Sequence, residues 1–478
     1  MENLNSKFQL SLIWSVFGKF GYMIIIFISN IILARLLSPQ EFGILAIAFF
    51  FIAISNVLVE SGLGGALIRE QNTSEEDYST IFIFNLIISI FLYGLLFIFS
   101  WKIEEYYNIP QFNVYLKVLG LILIINAFKI IQNVRLIKAL DYKKISLYNM
   151  IAVIGATSLG ITIAILGYGV WALIILQVFN ALFSTILFNF FVKNIKIFVF
   201  NRKSFKKLYH FGLFTTLSSF LNTVFDNIYQ LILSKYFNLN QTGYYYQGKR
   251  LTELPVSLIN FLNSGVIFST LSNIQNNKQK FNDFYSNTIR IFTVVIGFIC
   301  LSIFLYAKEI LSILYGSEWL GAEFYMKIFA IAYFFYMQES FNRILFKVFN
   351  KTDKIFILEI IKKSILSVSI VIGVYFKSIE FLLYGFLITY IISYYINYYV
   401  SRTIYNSKSI YMEMIYLHKV LGVSLFISLS FEMINNYFYL KIFYLPLVIV
   451  LYIILLQFLK VIDYQNDFKF IKSLNKLK

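Results

Sequence analysis

The chain has 478 residues, of which 59% are hydrophobic and only 14% are charged, whereas soluble domains carry about 25% charged residues. A mean hydropathy of +0.73 excludes a soluble protein and predicts an all-α polytopic membrane protein. The net charge of +17 is explained by basic loops on one side of a membrane, so we expect no nucleic-acid partner. The single cysteine excludes a disulfide framework. The two histidines are widely separated in the sequence, so we expect no zinc site.

Apolar stretches of about 20 residues, each long enough to cross a hydrocarbon core of about 30 Å, follow one another along the chain and predict fourteen transmembrane helices. The first stretch is longer than the core of a signal peptide, so we interpret it as a retained span. The predicted spans cover residues 12–34, 43–67, 79–101, 113–136, 147–167, 170–192, 211–235, 244–272, 287–307, 324–349, 355–376, 380–400, 414–433 and 441–460.

Lysine and arginine are distributed unevenly between the two sets of loops. If the N-terminus is cytoplasmic, most of them fall on the cytoplasmic side, including the stretches 138–144 and 193–207 and the tail after 460. Few fall in the opposite loops, and the asymmetry holds along the whole chain, as the positive-inside rule requires. We therefore predict that both termini are cytoplasmic.

The two halves of the chain resemble each other at a constant offset of 200 residues. Residues 30–35 (NIILAR) align with 230–235 (QLILSK), and Gly43 aligns with Gly243. Because this offset covers an even number of spans, both halves share one orientation, as in parallel-repeat transporters. We predict two pseudo-symmetric six-helix lobes with a central cavity. The predicted divisions are residues 1–200, residues 201–402, and residues 403–478 with two extra helices and a basic tail.

Several segments carry a family resemblance: residues 32–43 (ILARLLSPQEFG), 61–69 (SGLGGALIR), 73–80 (TSEEDYST) and 314–319 (LYGSEW). Together they resemble the polysaccharide biosynthesis (O-antigen flippase-like) family of the multidrug/oligosaccharidyl-lipid/polysaccharide exporter superfamily. The resemblance implies a fold like that of MATE transporters and a location in the bacterial inner (cytoplasmic) membrane. It also implies alternating-access translocation of an undecaprenyl-diphosphate-linked oligosaccharide, such as an O-antigen, capsule or exopolysaccharide unit, to the outer leaflet.

The partners implied by the resemblance are the lipid-linked oligosaccharide, membrane lipids and, as further candidates, a glycan polymerase and other polysaccharide-assembly proteins. Beside the resemblance, Ser38 and Pro39 are typical of a turn that places Glu41 in the first turn of the second helix. We expect no cofactor and no metal, apart from a coupling proton or sodium ion.

Ionisable residues within the predicted spans are costly to insert into a membrane, by about 2.5–3.5 kcal/mol each, unless they face a cavity or a partner. Lysine and arginine there would bind a lipid diphosphate by charge-assisted hydrogen bonds. The polar residues Ser218, Asn222, Asp226 and Gln230, each four apart, form a stripe on the seventh helix. The candidates are Lys19, Lys129, Arg250, Arg343 and Asn222 for the substrate, and Asp226 and Glu60 for the coupling ion.

These candidates have structural alternatives. Glu339 and Arg343, like Lys249 and Glu253, have the i,i+4 spacing of pairs that neutralise each other on one helix. Lys129 can instead extend toward the membrane interface. Lys19 and Asp226 can pair across the two lobes.

Two other functions remain open. A multidrug-type antiporter of the same superfamily shares the two-lobe architecture, but a cavity for organic cations favours acidic residues, whereas Lys19, Lys129, Arg250 and Arg343 tilt this one basic. A membrane-embedded glycan polymerase or transferase generally requires a large outer loop or a pair of catalytic side chains near the interface. The outer loops are short, so we expect that the protein is not an enzyme.

Overall fold

The computed structural model describes residues 2–60, 62–192, 198–435 and 444–462. Over these residues the chain forms α-helices and contains no β-strand. In the first half, the helices are α1 (Glu2–Leu36), α2 (Pro39–Glu60), α3 (Leu63–Arg69), α4 (Glu75–Tyr107), α5 (Phe112–Lys138), α6 (Tyr142–Ile165), α7 (Val170–Phe191) and α8 (Arg202–Tyr236). They continue with α9 (Leu239–Leu262), α10 (Phe268–Ile274), α11 (Lys278–Leu305), α12 (Ala307–Leu314), α13 (Glu323–Val348), α14 (Thr352–Tyr375), α15 (Ile379–Ile404), α16 (Lys408–Asn435) and α17 (Leu445–Phe458).

The predicted all-α polytopic class is confirmed. Among the described residues, ten helical segments are long and apolar enough to cross a membrane. Helices α8, α13, α14 and α17 coincide with the other four predicted spans, and α17 is the shortest of them, with 14 residues. The count of fourteen is compatible with these helices and stays a prediction. Residues 441–443 and the tail after 462 lie outside the described residues.

The chain divides into two compact units, residues 1–246 and residues 247–478. In the first unit, α6 packs between α1 and α7, α5 packs on α4, and α8 packs on α2. In the second unit, α13 packs against α11 and α15, α14 packs on α15, and α16 packs between α11 and α17. The predicted division into three parts, residues 1–200, 201–402 and 403–478, stays a prediction.

The offset of 200 residues recurs in the helix boundaries. Helices α1 and α8 have 35 residues each and end at Leu36 and Tyr236. The helices that follow begin at Pro39 and Leu239. Because the same turn recurs at the same offset, the structure confirms the repeat in this part of the chain.

The predicted start of the second helix is also confirmed. The Ser38 backbone N–H and hydroxyl donate to Glu41 Oε2 at 2.7 and 2.9 Å, and the Glu41 N–H donates to Ser38 Oγ at 3.4 Å. This reciprocal cap satisfies backbone donors that the first turn of a helix leaves without partners. It fixes the point at which the chain reverses into α2.

Candidate functional site

In the first unit, two of the predicted site residues, Lys129 and Glu60, lie near each other. Lys129, on α5, donates to Ser184 Oγ on α7 at 3.1 Å, and Glu60, at the end of α2, interacts with it electrostatically. One turn before Lys129, Asn126 Nδ2 donates to Asn56 Oδ1 on α2 at 3.5 Å. Because residues three or four apart share a helix face, these side chains form a polar patch, the Lys129 patch (Asn56, Glu60, Asn126, Lys129 and Ser184).

Hydrogen bonds between α5 and α7 hold this patch in place. Gln132 Nε2 donates to Asn189 Oδ1 at 2.7 Å, and Asn189 Nδ2 donates to the Phe128 carbonyl at 3.0 Å. The Thr185 hydroxyl donates to the Ile125 carbonyl at 3.2 Å. The Lys129 ammonium is thus held inside the helix packing at Ser184, in place of the extended position considered for it.

Lys19 lies in a different part of the first unit. It lines a cavity of about 340 Å³ between α1 and α6, together with Ser15, Tyr22 and Asn149. The helices approach closely here, and the Ser146 hydroxyl of α6 donates to the Trp14 carbonyl of α1 at 3.0 Å. Hydroxyl and amide groups around one ammonium are a suitable lining for a polar ligand.

The predicted polar stripe on α8 is largely exposed. Ser218, Asn222 and Asp226 are exposed, whereas Gln230 is 3% exposed and donates from Nε2 to Asn227 Oδ1 at 3.4 Å. Asn222 and Asp226 therefore lie on one exposed face, as their spacing predicts. The pairing of Asp226 with Lys19 stays a prediction.

Arg250 is half-buried on α9. It makes no hydrogen bond, ion pair or ring contact with the residues that the structure describes. Its neighbour Lys249 differs, because Lys249 Nζ lies 3.4 Å from Glu253 Oε1, and this oxygen also accepts from the Tyr333 hydroxyl at 3.1 Å. The predicted Lys249–Glu253 pair is confirmed, and the binding of substrate by Arg250 stays a prediction.

Arg343 is engaged by two carboxylates. It forms the predicted ion pair with Glu339, one turn earlier on α13, and its guanidinium lies 2.5 Å from Glu359 Oε1 on α14. Lys362 Nζ, also on α14, lies 3.0 Å from Glu339 Oε2, and Asn397 Nδ2 on α15 donates to Glu339 Oε1 at 3.3 Å. We call these five residues the Glu339 cluster.

The Glu339 cluster is balanced in charge, and Glu339 and Lys362 are its buried charged members. Glu339 is 0% exposed and Lys362 is 5% exposed. The Lys362 ammonium also lies 4.0 Å from the Tyr390 ring centre, in cation–π geometry. Buried charges are tolerated when they are paired and hydrogen-bonded, so Arg343 contributes here to the packing of α13, α14 and α15.

Sequence reasoning missed Lys362, Glu359 and Asn397 as members of this cluster. The i,i+4 spacing of Glu339 and Arg343 indicates their pairing from the sequence, because both residues lie on one helix. The other three residues come from α14 and α15, and only tertiary packing brings them to Glu339. Among the described residues, no group of three His, Cys, Asp or Glu side chains is arranged to hold a metal ion.

The family model described as polysaccharide biosynthesis protein matches residues 32–324. The chain belongs to this family. It is 23% identical over 306 residues to the succinoglycan biosynthesis transport protein ExoT of Rhizobium meliloti (strain 1021), which covers 64% of this chain and 62% of the relative.

A second relative is the lipopolysaccharide biosynthesis protein WzxC of Escherichia coli (strain K12). It is 22% identical over 296 residues, which covers 60% of this chain and 59% of the relative. The matches to these two polysaccharide biosynthesis proteins thus span about three fifths of their lengths.

Solved structures extend the likeness to nearly the whole chain. The lipid II flippase MurJ, in an inward closed conformation, is similar with a TM-score of 0.73 at 15% identity, over 95% of this chain and 99% of that one. An inward-facing multidrug resistance MATE transporter of the MOP superfamily is similar with a TM-score of 0.61 at 15% identity, over 81% of this chain and 96% of that one. This family member therefore has the expected MATE-like fold.

Proposed function

We propose that this protein is a flippase that moves a lipid-linked oligosaccharide from the cytoplasmic to the outer leaflet of a bacterial inner membrane by alternating access. The observation that carries the proposal is the state of Arg250, a half-buried cation within an apolar helical segment that has no partner in the described part of the chain. Such a cation needs a compensating anion. A diphosphate supplies one, because a guanidinium binds two of its oxygens at once.

The names of the relatives support the same substrate class. One is a succinoglycan transport protein and another a lipopolysaccharide biosynthesis protein, and both names concern the assembly of glycans. The proposal also includes cytoplasmic termini, no covalent chemistry and no cofactor. Lys19, Lys129 and Asn222 are its further substrate contacts. Arg343 is a weaker candidate, because two carboxylates already occupy its guanidinium.

The test is the location of the oligosaccharide lipid in a strain that lacks this protein. We expect intact repeat-unit lipid to accumulate where probes added outside the inner membrane cannot reach it, and its mass would identify the glycan. We expect the wild-type protein to restore exposure to the probe. Arg250→Ala should not restore it, although it should be present in the membrane in normal amount, and Arg250→Lys should restore part of it.

Lys308→Ala is the matched control, because Lys308 is an exposed cation on α12 and makes no hydrogen bond, ion pair or ring contact with the described residues. It should restore exposure fully. Normal exposure of the lipid in the deletion strain would overturn the flippase assignment for that glycan. Full restoration by Arg250→Ala would remove Arg250 from the site while leaving the deletion result intact.

A further inference from the structure

A second buried carboxyl group lies in the second unit, on α16. Glu413 is 0% exposed. Asn342 Nδ2 donates to its Oε1 at 3.0 Å, the Tyr285 hydroxyl donates to its Oε2 at 3.2 Å, and the Tyr394 hydroxyl donates to its Oε1 at 3.4 Å. The three donors belong to α13, α11 and α15, so four helices meet at this one side chain.

Glu413 differs from Glu339 in its charge balance. Both carboxyl groups are 0% exposed, but Glu339 contacts the guanidinium of Arg343 and the ammonium of Lys362. Every partner of Glu413 within the described residues is neutral. A buried carboxylate without a cation is costly, whereas a buried neutral acid with hydrogen-bond partners is not.

The hydroxyl groups at Glu413 lie farther from its carboxyl oxygens than hydroxyl groups that donate to an anion. A hydroxyl that donates to a carboxylate anion usually lies about 2.5–2.7 Å from it. The two tyrosine hydroxyls lie at 3.2 and 3.4 Å. They stabilise an anion weakly at this separation, so the arrangement favours the protonated acid.

The same side chains can hold the protonated form. A tyrosine hydroxyl both donates and accepts, so the acid O–H of Glu413 can donate to Tyr285 while its other oxygen still accepts from Asn342. The Asn342 amide is held in place because its Oδ1 accepts from the Ser401 hydroxyl at 2.8 Å. The neutral acid is therefore held without a rearrangement of the surrounding side chains.

The charged groups on α11 and α13 have other partners. On α11, Tyr285 faces Glu413, and Arg290 donates to Asn287 Oδ1 on its own helix at 3.0 Å. On α13, Asn342 faces Glu413, whereas Arg343 pairs with Glu339 and with α14. Neither helix brings a cation to the Glu413 carboxyl group.

The other neighbouring helices likewise bring no charged group into contact with Glu413 among the described residues. On α15, Tyr394 donates to it and Tyr398 interacts with it electrostatically, while the Arg402 guanidinium lies 6.0 Å from the Tyr398 ring centre. On α16 itself, the His418 ring nitrogens contact the Met414 carbonyl and the Tyr395 hydroxyl. On α17, the Tyr452 hydroxyl donates to the Val294 carbonyl at 2.8 Å.

We propose that Glu413 is a reversible proton-binding site that is occupied when α16 is packed against α11, α13 and α15 as in this structure. The carboxylate takes up one proton from water to form the neutral acid, and returns it to water when this packing opens. The ligand is a proton and not a metal cation, because a metal requires several oxygen ligands and the groups around Glu413 point N–H and O–H donors at it. The proposal adds to the flippase function and does not require it for proton binding.

The test is infrared difference spectroscopy of the purified full-length protein in lipid nanodiscs, between low and high pH. We expect a carbonyl band of a protonated carboxyl group that disappears reversibly as the pH rises. Glu413→Gln should lack this band. Glu432→Gln is the matched control, because Glu432 is an exposed carboxyl group on the same helix, and it should keep the band.

Three results would overturn the assignment. A band that persists in Glu413→Gln would show that another group carries the proton. A band that persists at every pH would show that Glu413 is permanently neutral, and a band that sodium ions abolish at constant pH would show that the site binds a metal cation. If Glu413→Gln folds poorly, Glu413→Asp replaces it and should shift the frequency of the band. The spectra need no oligosaccharide, so they stand even where the flippase assignment fails.

The consequence for transport rests on the proposed function. Oligosaccharide exposure by wild-type protein should change with cytoplasmic pH, and Glu413→Gln, which stays neutral, should abolish that change. Normal exposure of the oligosaccharide lipid in the deletion strain would count against the flippase. Loss of the pH response alone, together with the infrared band, would support Glu413 as its proton site.

Discussion

Gly43 and Gly243, which are 200 residues apart in the sequence, lie against each other where α2 and α9 begin. A Cβ atom on Gly43 would lie 2.2 Å from the Leu239 carbonyl oxygen, and one on Gly243 would lie 1.9 Å from the Pro39 carbonyl oxygen. Pro39 and Leu239 are also equivalent under the repeat. The two copies of one motif thus pack against each other in a symmetrical way, and each glycine leaves room for the backbone of the other helix.

We expect Gly43→Ala to destabilise the protein by about 1–3 kcal/mol, the usual cost of overpacking, because the added methyl group meets a backbone oxygen that cannot rotate away. The thermal unfolding midpoint in detergent should fall. Gly94→Ala, in the middle of α4, is the control, because a Cβ there meets nothing within 4 Å. It should leave the midpoint unchanged or raise it, since alanine favours a helix over glycine. Equal midpoints for both variants would argue against the α2–α9 contact.

Much of the fold could be predicted because the membrane limits the choices. An apolar stretch of sufficient length forms a helix, and the offset between Gly43 and Gly243 indicated the repeat before any contact was known. Helices α8, α13 and α14 coincide with predicted spans although they include charged residues such as Asp226, Arg343 and Lys362.

The candidate site was predictable where one helix supplies both partners. The i,i+4 spacing gave Glu339–Arg343 and Lys249–Glu253, and both pairs are present. Contacts between helices were not predictable, because helical spacing gives the face of a residue and not the helix that this face meets. Ser184 could not be assigned to Lys129 from the sequence for this reason.

The Glu339 cluster should be sensitive to the loss of one charge. Lys362→Met removes one of two cations from a carboxylate that is 0% exposed. Breaking a buried ion pair in this way typically costs about 3–5 kcal/mol, and we expect a corresponding fall in the unfolding midpoint. The double variant Glu339→Gln/Lys362→Met should recover part of the loss, because it removes both charges together.

A partly exposed pair on the same helix provides the control. Lys327 Nζ lies 2.7 Å from Glu323 Oε1, and the two side chains are 34% and 30% exposed. Since exposed i,i+4 pairs contribute about 0.3–0.5 kcal/mol, Lys327→Met should scarcely change the midpoint. A loss of similar size in Lys327→Met and Lys362→Met would show that burial does not distinguish the two pairs.

The Lys129 patch allows a comparison of two cations. We expect Lys129→Ala to lower transport less than Arg250→Ala, because the Lys129 charge is already balanced by Glu60 and its ammonium is held by Ser184. Both variants are to be compared at equal membrane abundance, with exposed oligosaccharide lipid as the readout. Ser184→Ala is the companion variant. It should lower the free energy of unfolding by about 0.5–1.5 kcal/mol, the contribution of one hydrogen bond. A larger transport loss in Lys129→Ala than in Arg250→Ala would reverse the ranking of the two sites.

Lys138 should be the most important cation at the end of α5. Its ammonium donates to the Leu67 and Glu70 carbonyls at 3.2 and 2.6 Å and to Thr73 Oγ1 at 2.9 Å. It therefore satisfies carbonyl groups at the C-terminus of α3 that have no partner within the helix. Lys138→Met leaves these acceptors without a donor. Since a hydrogen bond to a charged group contributes about 1.5–3 kcal/mol, we expect the free energy of unfolding to fall by at least that amount.

Lys143→Met is the control, because Lys143 is exposed and its ammonium lies 5.4 Å from the Trp14 ring centre. Protease cleavage between α3 and α4 should rise in Lys138→Met and stay at the wild-type level in Lys143→Met; unchanged cleavage in both would show that Lys138 does not hold this connection.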